Sequence, residues 1–146
     1  MLDAVLNEST NIDALIMAAA VADFRPKITS KDKIKKEGGV PQIELEATED
    51  ILKTVSASGL DKKRPRVVVG FAAESRDLLE NAAVKLESKN LDLIVANDIS
   101  ASDAGFAVET NRVTLLFADG RKESLLLLSK METAEVVVES VAKLLE

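Results

Sequence analysis

Cysteine, histidine, tyrosine and tryptophan are all absent from this chain. Without thiols or imidazoles it can form no disulfide, no thiolate nucleophile, no histidine general base and no Cys/His zinc site. Any chemistry must therefore depend on carboxylates, lysines, arginines, hydroxyls and backbone groups. The four phenylalanines are too few for the stacking platforms of single-stranded nucleic-acid binders, and the net charge of −6 argues against binding a phosphate backbone.

Long apolar runs are missing as well. No stretch approaches the roughly 20 apolar residues of a membrane span, and no signal peptide is visible. We therefore expect a cytoplasmic protein that binds neither membranes nor nucleic acid. The chain has 146 residues, of which 47% are hydrophobic and 30% charged, which is typical of one globular domain.

Buried-strand patterns alternate with helical patterns along most of the chain. The largely apolar stretches at 13–21, 66–71 and 91–98 are typical of parallel strands covered on both faces. Residues 73–90 carry one apolar stripe at helical spacing, and 48–59 has the pattern of a short helix with Thr48 as its N-cap. This alternation predicts an α/β fold with a Rossmann-like, mostly parallel sheet flanked by helices.

The C-terminal part of the chain follows a different pattern. The dipeptide Asp119-Gly120, between 111–117 and 122–129, predicts a β-hairpin. "SKME" at 129–132 has the pattern of a capping box that begins a closing helix. The "LLLL" stretch of the hairpin is too apolar for an exposed strand edge, so we expect it to form a homodimer interface.

Small and polar residues lie at the ends of the predicted buried strands, at 22–24, 70–74 and 96–98. Ligands of open α/β sheets bind beyond the carboxyl ends of the strands, and small residues let a ligand approach the backbone. Taken singly, residues such as Gly70 and Ala72 are better explained by tight packing of helices on the sheet. Three such strand ends in one chain favour a ligand site.

A basic segment at 24–41 is expected to be an exposed loop. A polyphosphate would relieve the repulsion among its crowded lysines, because lysine binds phosphate as a mobile point charge. An exposed basic loop is, however, usually only solvated. The crowded residues are Lys31, Lys33, Lys35 and Lys36.

Lys85 and Lys89 are expected to lie one above the other at the edge of a helix's apolar stripe. An anion between them would turn their repulsion into attraction. The alternative is that both lysines only cover apolar surface with their aliphatic stems.

Asp23 follows the first predicted strand and is a candidate ligand for Mg²⁺ bound to phosphates. That ion takes one or two protein carboxylates and completes its shell with substrate oxygens and water. The carboxylate could equally accept a turn amide. No G-x-G-x-x-G or Walker loop is present, because the six glycines never have that spacing.

Five motifs, in this order, carry a resemblance to a known family. They are "AAAVADFRP", "KIKK", "GFAAE", "KLESKNLDLIVANDIS" and "VTLLFADG…SKMETAEVV". Together they resemble phosphopantothenate–cysteine ligase, the C-terminal half of a bacterial bifunctional coenzyme A biosynthesis protein. The resemblance implies a cytoplasmic homodimer that joins cysteine to 4′-phosphopantothenate through an acyl-cytidylate, with CTP as co-substrate and Mg²⁺ or Mn²⁺ as the cation.

The same resemblance implies a set of site residues. Lys33 corresponds to the family's flexible-loop lysine, which reaches the reacting phosphate, and Asp23 would bind the nucleotide, either directly or through the cation. The motif at 49–52 departs most from the family, which often has Asn-Pro-Asp there. The full nucleotide-binding set is Met17, Ala18, Ala19, Asp23, Lys33, Glu49, Asp50, Ile51, Leu52, Phe71, Lys85 and Lys89.

One departure concerns the family's N-terminal segment, with its Gly-rich loop and an asparagine that processes the acyl-cytidylate. This segment has no counterpart here, and Asn97 lies in the wrong motif to replace that asparagine. We therefore expect residues 1–146 to be the C-terminal portion of one ligase domain, inactive alone. The alternatives are a dinucleotide-binding reductase half and a non-catalytic α/β interaction module.

Overall fold

The structure is a computed structural model that describes residues 1–30, 32–34, 39–57, 64–100 and 108–146. These residues form two compact units. The larger consists of Met1–Ala18 and Ile51–Glu146, and the smaller of Ala19–Asp50. Three lysines of the predicted basic loop lie outside the described residues, namely Lys31, Lys35 and Lys36.

The helices and strands of the described residues alternate through most of the chain. In chain order they are α1 (Leu2–Glu8), β1 (Ala14–Met17), β2 (Phe24–Pro26), β3 (Leu45–Ala47), α2 (Ile51–Ala57), β4 (Val67–Glu74), α3 (Leu78–Ser88), β5 (Leu93–Asp98), β6 (Thr110–Phe117), β7 (Lys122–Ser124), β8 (Leu128–Ser129) and α4 (Lys130–Leu145).

The larger unit is built on a sheet with strand order β1-β4-β5-β6-β7, in which β8 also pairs with β6. Strands β1, β4 and β5 are parallel, whereas β6 is antiparallel to β5, β7 and β8. The predicted α/β fold with flanking helices is therefore confirmed. The sheet is mixed rather than mostly parallel, because β6 runs antiparallel to β5 and the short turn at 118–121 reverses the chain again into β7.

Each face of this sheet packs against a different helix. Val69, Val95 and Leu115 belong to a buried cluster with Val137 and Val141 of α4. On the opposite face, strand residues such as Val68 and Ile94 pack with Ala82 of α3. The central strands are thus covered on both sides, as their continuous apolar sequences indicate.

The first and second strands differ from the expectation. The predicted strand at 13–21 ends at Met17, and 18–21 is exposed and outside any strand. Alanine has low β-propensity, so the alanine run does not extend the strand. The basic segment at 24–41 was predicted to be a loop throughout, which is wrong for Phe24–Pro26, because these residues form β2 and pair antiparallel with β3.

The "LLLL" stretch does not form one continuous hairpin strand. Strand β7 ends at Ser124, and the next strand, β8, begins only at Leu128. Leu126 is 83% exposed and Leu127 is 43% exposed. The predicted β-hairpin is present in β6 and β7, while the homodimer interface remains a prediction.

The N-terminus of α2 also differs from the expectation. The helix begins at Ile51, so Thr48 is too far upstream to be its N-cap. The Thr48 hydroxyl instead donates to the Ala22 carbonyl at 2.6 Å, and the Thr48 N–H donates to the Asp23 carbonyl at 2.8 Å. Gly59, the predicted end of this helix, lies outside the described residues.

The predicted capping box of α4 is confirmed. The Ser129 hydroxyl accepts the Glu132 N–H, and the Glu132 carboxylate accepts the Ser129 N–H at 2.8 Å. Hydrogen bonds from the Ser129 side chain and then from its backbone lower the pKa of Glu132 below its ordinary value of 4.5. A carboxyl group with a lowered pKa stabilises the fold above its ordinary pKa, and this stability is lost as the pH falls through the folded value.

We expect Ser129→Ala to lower the free energy of unfolding by about 1 kcal/mol at neutral pH, because α4 loses its cap. The variant should also lose less stability than the unchanged chain when the pH falls below 4.5. Urea unfolding at neutral and acid pH measures both effects. Ser124→Ala, an exposed serine of β7, is the control. Equal stability of Ser129→Ala and the unchanged chain would contradict the capping role.

Candidate functional site

The carboxyl ends of the parallel strands lie at one edge of the sheet. Met17 ends β1 level with Gly70, while Glu74 and Asp98 end β4 and β5 in register with each other. The last four residues of β4 therefore extend beyond β1. In α/β sheets this edge is where ligands bind, and the predicted residues Met17 and Phe71 belong to the strand ends there.

Lys85 is fixed at this edge by an ion pair. Its Nζ donates to Glu74 Oε1 at 2.6 Å, and the two side chains are 39% and 23% exposed. A carboxylate of the sheet therefore already offsets the charge of Lys85.

Lys89 follows the last residue of α3 and is its C-cap. Its backbone N–H donates to the Lys85 carbonyl at 3.1 Å, so it lies one turn beyond Lys85, as expected from the spacing. The two lysines therefore follow one another at the end of a helix, where the helix dipole favours positive charge.

Phe71 and Lys85 lie on opposite faces of the sheet. Side chains alternate along a strand, so Phe71 and Ala73 lie on the same face as Val69, which packs on the α4 side. Glu74 lies on the α3 side and reaches Lys85 there. The Phe71 ring is 40% exposed. A ligand that contacts both Phe71 and Lys85 must therefore cross the strand ends.

Three of the small residues at the strand ends serve packing. A methyl group on Gly70 would lie 2.7 Å from Leu91 Cδ1. Ala72 and Ala96 are 3% and 0% exposed, in the core beneath α3. The packing interpretation is therefore right for these residues, whereas the exposed Ala73 leaves the β4 backbone accessible.

Two of the predicted nucleotide contacts are core side chains. Met17 and Ile51 are 9% and 6% exposed and belong to one buried cluster with Val55. Leu52 packs against this cluster and approaches the position of Gly70. Met17 and Ile51 can therefore contact a ligand through backbone groups, but not through their buried side chains. Ala18 beside them is exposed.

The smaller unit carries the other predicted residues. Ala19, Asp23, Lys33, Glu49 and Asp50 are exposed there. Other charged side chains of this unit form two ion pairs, which link β2 and the residue after it to β3 and the residue before it. These pairs are Arg25 with Glu46 and Lys27 with Glu44, both at 2.7 Å.

The metal hypothesis depends on Asp23 alone. Among the described residues, no three carboxylates are grouped closely enough to hold a metal ion. A single exposed carboxylate fits a Mg²⁺ ion that is held mainly by substrate phosphates and water. It does not fit a metal that the protein binds by itself.

Two polar contacts at the sheet were not predicted from the sequence. The Asn97 amide donates weakly to Asn111 Oδ1 at 3.4 Å, while Asn97 Oδ1 is buried without a partner among the described residues. Asp92 joins the starts of β4 and β5, since its Oδ2 accepts both the Val68 N–H and Arg64 Nη2 at 2.7 Å. Sequence spacing gave no signal for either contact, because the partners are far apart in the chain.

Comparison with known families decides where the chain belongs. The sequence model of the family "DNA/pantothenate metabolism flavoprotein C-terminal domain" matches residues 1–145. The chain is a member of this family. Among the helices that the structure describes, none is both long and apolar enough to span a bilayer.

Two curated relatives match almost the whole length of this chain. The coenzyme A biosynthesis bifunctional protein CoaBC of Bacillus subtilis (strain 168) is 44% identical over 144 residues, 99% of this chain and 34% of that protein. A cysteine/cysteine sulfinic acid decarboxylase from an unknown prokaryotic organism is 40% identical over 144 residues, 99% of this chain and 39% of that protein. The chain thus spans little more than a third of the length of these relatives.

Solved structures agree with the family. The crystal structure of the C-terminal domain of CoaBC is 37% identical and has a TM-score of 0.76, over 99% of this chain and 60% of that one. A Cab2 mutant in complex with phosphopantothenate-cysteine has a TM-score of 0.62 at 19% identity, over 92% of this chain and 46% of that one. The similarity to the Cab2 mutant concerns the fold alone. The resemblance to the C-terminal half of the bifunctional protein is confirmed.

Proposed function

We propose that this chain is part of a phosphopantothenate–cysteine ligase. In the first step, the carboxylate of 4′-phosphopantothenate attacks the α-phosphorus of CTP, forming an acyl-cytidylate and releasing pyrophosphate. In the second step, the amine of cysteine attacks the acyl carbon and expels CMP. An amide bond forms, and the amine gives up a proton to solvent or to a base.

The observation that carries this proposal is the identity of 44% with the bifunctional coenzyme A biosynthesis protein over 99% of the chain. The other relative, 40% identical, carries a decarboxylase name; we prefer the ligase because the solved C-terminal domain of CoaBC, 37% identical, matches 99% of this chain. The motifs at the strand ends support the ligase half specifically.

The chemistry suits the side chains that are present. Activation of a carboxylate by a nucleotide needs positioning and charge neutralisation more than a protein nucleophile. This chain has no cysteine or histidine, but it places Lys85 at the carboxyl edge of the sheet and leaves Lys33 exposed in the smaller unit. In our proposal these lysines bind phosphate oxygens of CTP.

The other residues have supporting roles in the proposal. The Phe71 ring would contact the nucleotide, and Ala18 and Ala73 would allow it to approach the backbone. Asp23 would hold the cation, Mg²⁺ or Mn²⁺, which when bound neutralises phosphate charge. Backbone groups of Met17 and Ile51 would complete the contacts, since their side chains are buried.

Comparison of this chain with a longer polypeptide that contains it tests the proposal. Both receive CTP, 4′-phosphopantothenate and cysteine, and the release of CMP and pyrophosphate is measured. We expect ligation by the longer polypeptide and none by residues 1–146 alone. Failure of the longer polypeptide to ligate would contradict the proposed function. Equal turnover of the two would contradict only the expectation that this chain is inactive alone.

We expect Lys85→Ala combined with Lys89→Ala to weaken CTP binding at least tenfold, because two phosphate contacts are lost. The melting temperature should change little, because a partly exposed ion pair contributes at most about 1 kcal/mol. Calorimetric titration and thermal unfolding measure the two effects. Lys130→Ala with Lys143→Ala on α4 removes the same charge and is the control. Lower stability with unchanged affinity would show that the lysines of α3 are only structural.

A further inference from the structure

The ion pair between Glu74 and Lys85 joins α3 to the last residue of β4. Glu74 Oε1 accepts a hydrogen bond from Lys85 Nζ at 2.6 Å, across eleven residues of sequence. The backbone of Glu74 is also fixed, because its carbonyl accepts the Ile99 N–H at 3.1 Å and the residue is in register with Asp98. Lys85 is therefore hydrogen-bonded to a residue whose own backbone is held in the sheet.

The two side chains of this ion pair differ in burial and in the number of hydrogen bonds that they can donate. The Glu74 side chain is 23% exposed, whereas that of Lys85 is 39% exposed. A lysine ammonium has three N–H donors, and Glu74 accepts one of those of Lys85. The exposed side of the ammonium can therefore donate to a ligand while the bond to Glu74 stays in place.

We propose that Glu74 is a positioning residue, which orients the Lys85 ammonium towards an anionic group of the nucleotide bound at the carboxyl ends of β4 and β5. This inference rests on the proposed function and names one further residue of the same site. A free lysine has many rotamers, and ordering them on binding weakens affinity. Lys85 is already ordered by Glu74, so this loss is reduced.

Charge and hydrogen bonding at position 74 have separable effects. A glutamine keeps an oxygen that accepts from Lys85 and removes a negative charge near the bound anion. Glu74→Gln should therefore bind CTP at least as tightly as the unchanged chain. An alanine removes the acceptor and leaves Lys85 unoriented, so Glu74→Ala should bind CTP about fivefold to tenfold more weakly.

A purely structural tie between α3 and β4 would behave differently. If the ion pair only stabilised the packing of α3 on β4, its removal would change the melting temperature and leave CTP affinity unchanged. A positioning role also requires that Glu74 act through Lys85. When Lys85 is already alanine, Glu74→Ala should change CTP affinity less than twofold.

The test is calorimetric titration of the chain with CTP and Mg²⁺, for the unchanged sequence, Glu74→Ala, Glu74→Gln, Lys85→Ala and the double alanine variant. Glu80→Ala, an exposed acid in the first turn of α3, removes the same charge and controls for net charge. The inference requires weak binding by Glu74→Ala, rescue by Glu74→Gln, and no further loss in the double variant.

Three outcomes would overturn the inference while leaving CTP binding intact. They are an affinity of Glu74→Ala within twofold of the unchanged chain, an equally weak Glu74→Gln, and additive losses in the double variant. If the unchanged chain binds no CTP, the nucleotide role of this edge fails, and the positioning role fails with it.

Discussion

Lys33→Ala is expected to lower the rate of acyl-cytidylate formation by about 10²- to 10³-fold, the usual effect of removing one group that stabilises developing charge. Lys33 is exposed in the smaller unit, and among the described residues no hydrogen bond or ion pair engages its side chain. In the proposed function its ammonium neutralises the phosphoryl group that the carboxylate attacks. Single-turnover release of pyrophosphate by a longer polypeptide that contains this chain measures the step.

The control for this experiment is another lysine of the same unit. Lys27 pairs with Glu44 at 2.7 Å, and its side chain is 52% exposed. Lys27→Ala removes the same charge from the same unit and should change the rate less than about threefold, because an exposed ion pair contributes little. If Lys33→Ala is as active as Lys27→Ala, Lys33 takes no part in the reaction.

Asp92→Ala is expected to lower the free energy of unfolding by about 2–3 kcal/mol, because a buried N–H loses its partner and a partly buried charge loses its counterion. Asp92 Oδ2 accepts from the Val68 N–H and from Arg64 Nη2, both at 2.7 Å. The side chains of Arg64 and Asp92 are only 22% and 28% exposed. Among the described residues Arg64 Nε is buried without a partner, and the other guanidinium nitrogens also donate to the Asn90 and Pro65 carbonyls, so Asp92 supplies the negative charge.

Asp119→Ala is the matched control for Asp92→Ala. Asp119 also accepts a backbone N–H and pairs with an arginine, since Oδ1 accepts the Arg121 N–H and Oδ2 lies 2.7 Å from Arg121 Nε. These bonds lower the pKa of Asp119, the backbone bond most strongly. The pair is exposed, however, and solvent screens it. Urea unfolding should show a clearly larger loss of stability for Asp92→Ala, and equal losses would contradict this account of Asp92.

Elements with a local signature could be predicted from the sequence. The apolar runs that became β4 and β5 mark buried strands because both faces of the sheet are covered. The capping box of α4 was predictable because both of its partners lie within four residues. The end of β1 was not, because an alanine run continues the apolar pattern without favouring a strand.

Contacts between distant parts of the chain could not be predicted. Strand β2 depends on pairing with β3, and the register of Arg25 with Glu46 joins residues that are 21 positions apart. Likewise, the spacing placed Lys85 at the edge of a helical stripe but could not predict Glu74 as its partner. That ion pair forms because α3 packs on the face of the sheet from which the Glu74 side chain projects.

The structure separates accessible from buried positions among the predicted site residues, and their role in binding stays a prediction. Exposed or polar groups lie at the end of β4, as Phe71, Ala73 and Glu74 illustrate. Met17 and Ile51 were included because of the resemblance, but their side chains belong to the core. A sequence motif identifies which positions are near a site, and only packing decides which atoms of them are accessible.

Calorimetric titration of the chain with CTP, ATP and NADPH, each with Mg²⁺, tests the central claim most directly. The account predicts saturable binding of CTP that is tighter than binding of ATP or NADPH and that weakens when Lys85 is replaced by alanine. Preference for NADPH would favour a reductase, and no binding of any nucleotide would favour an interaction module. Either result would contradict the account.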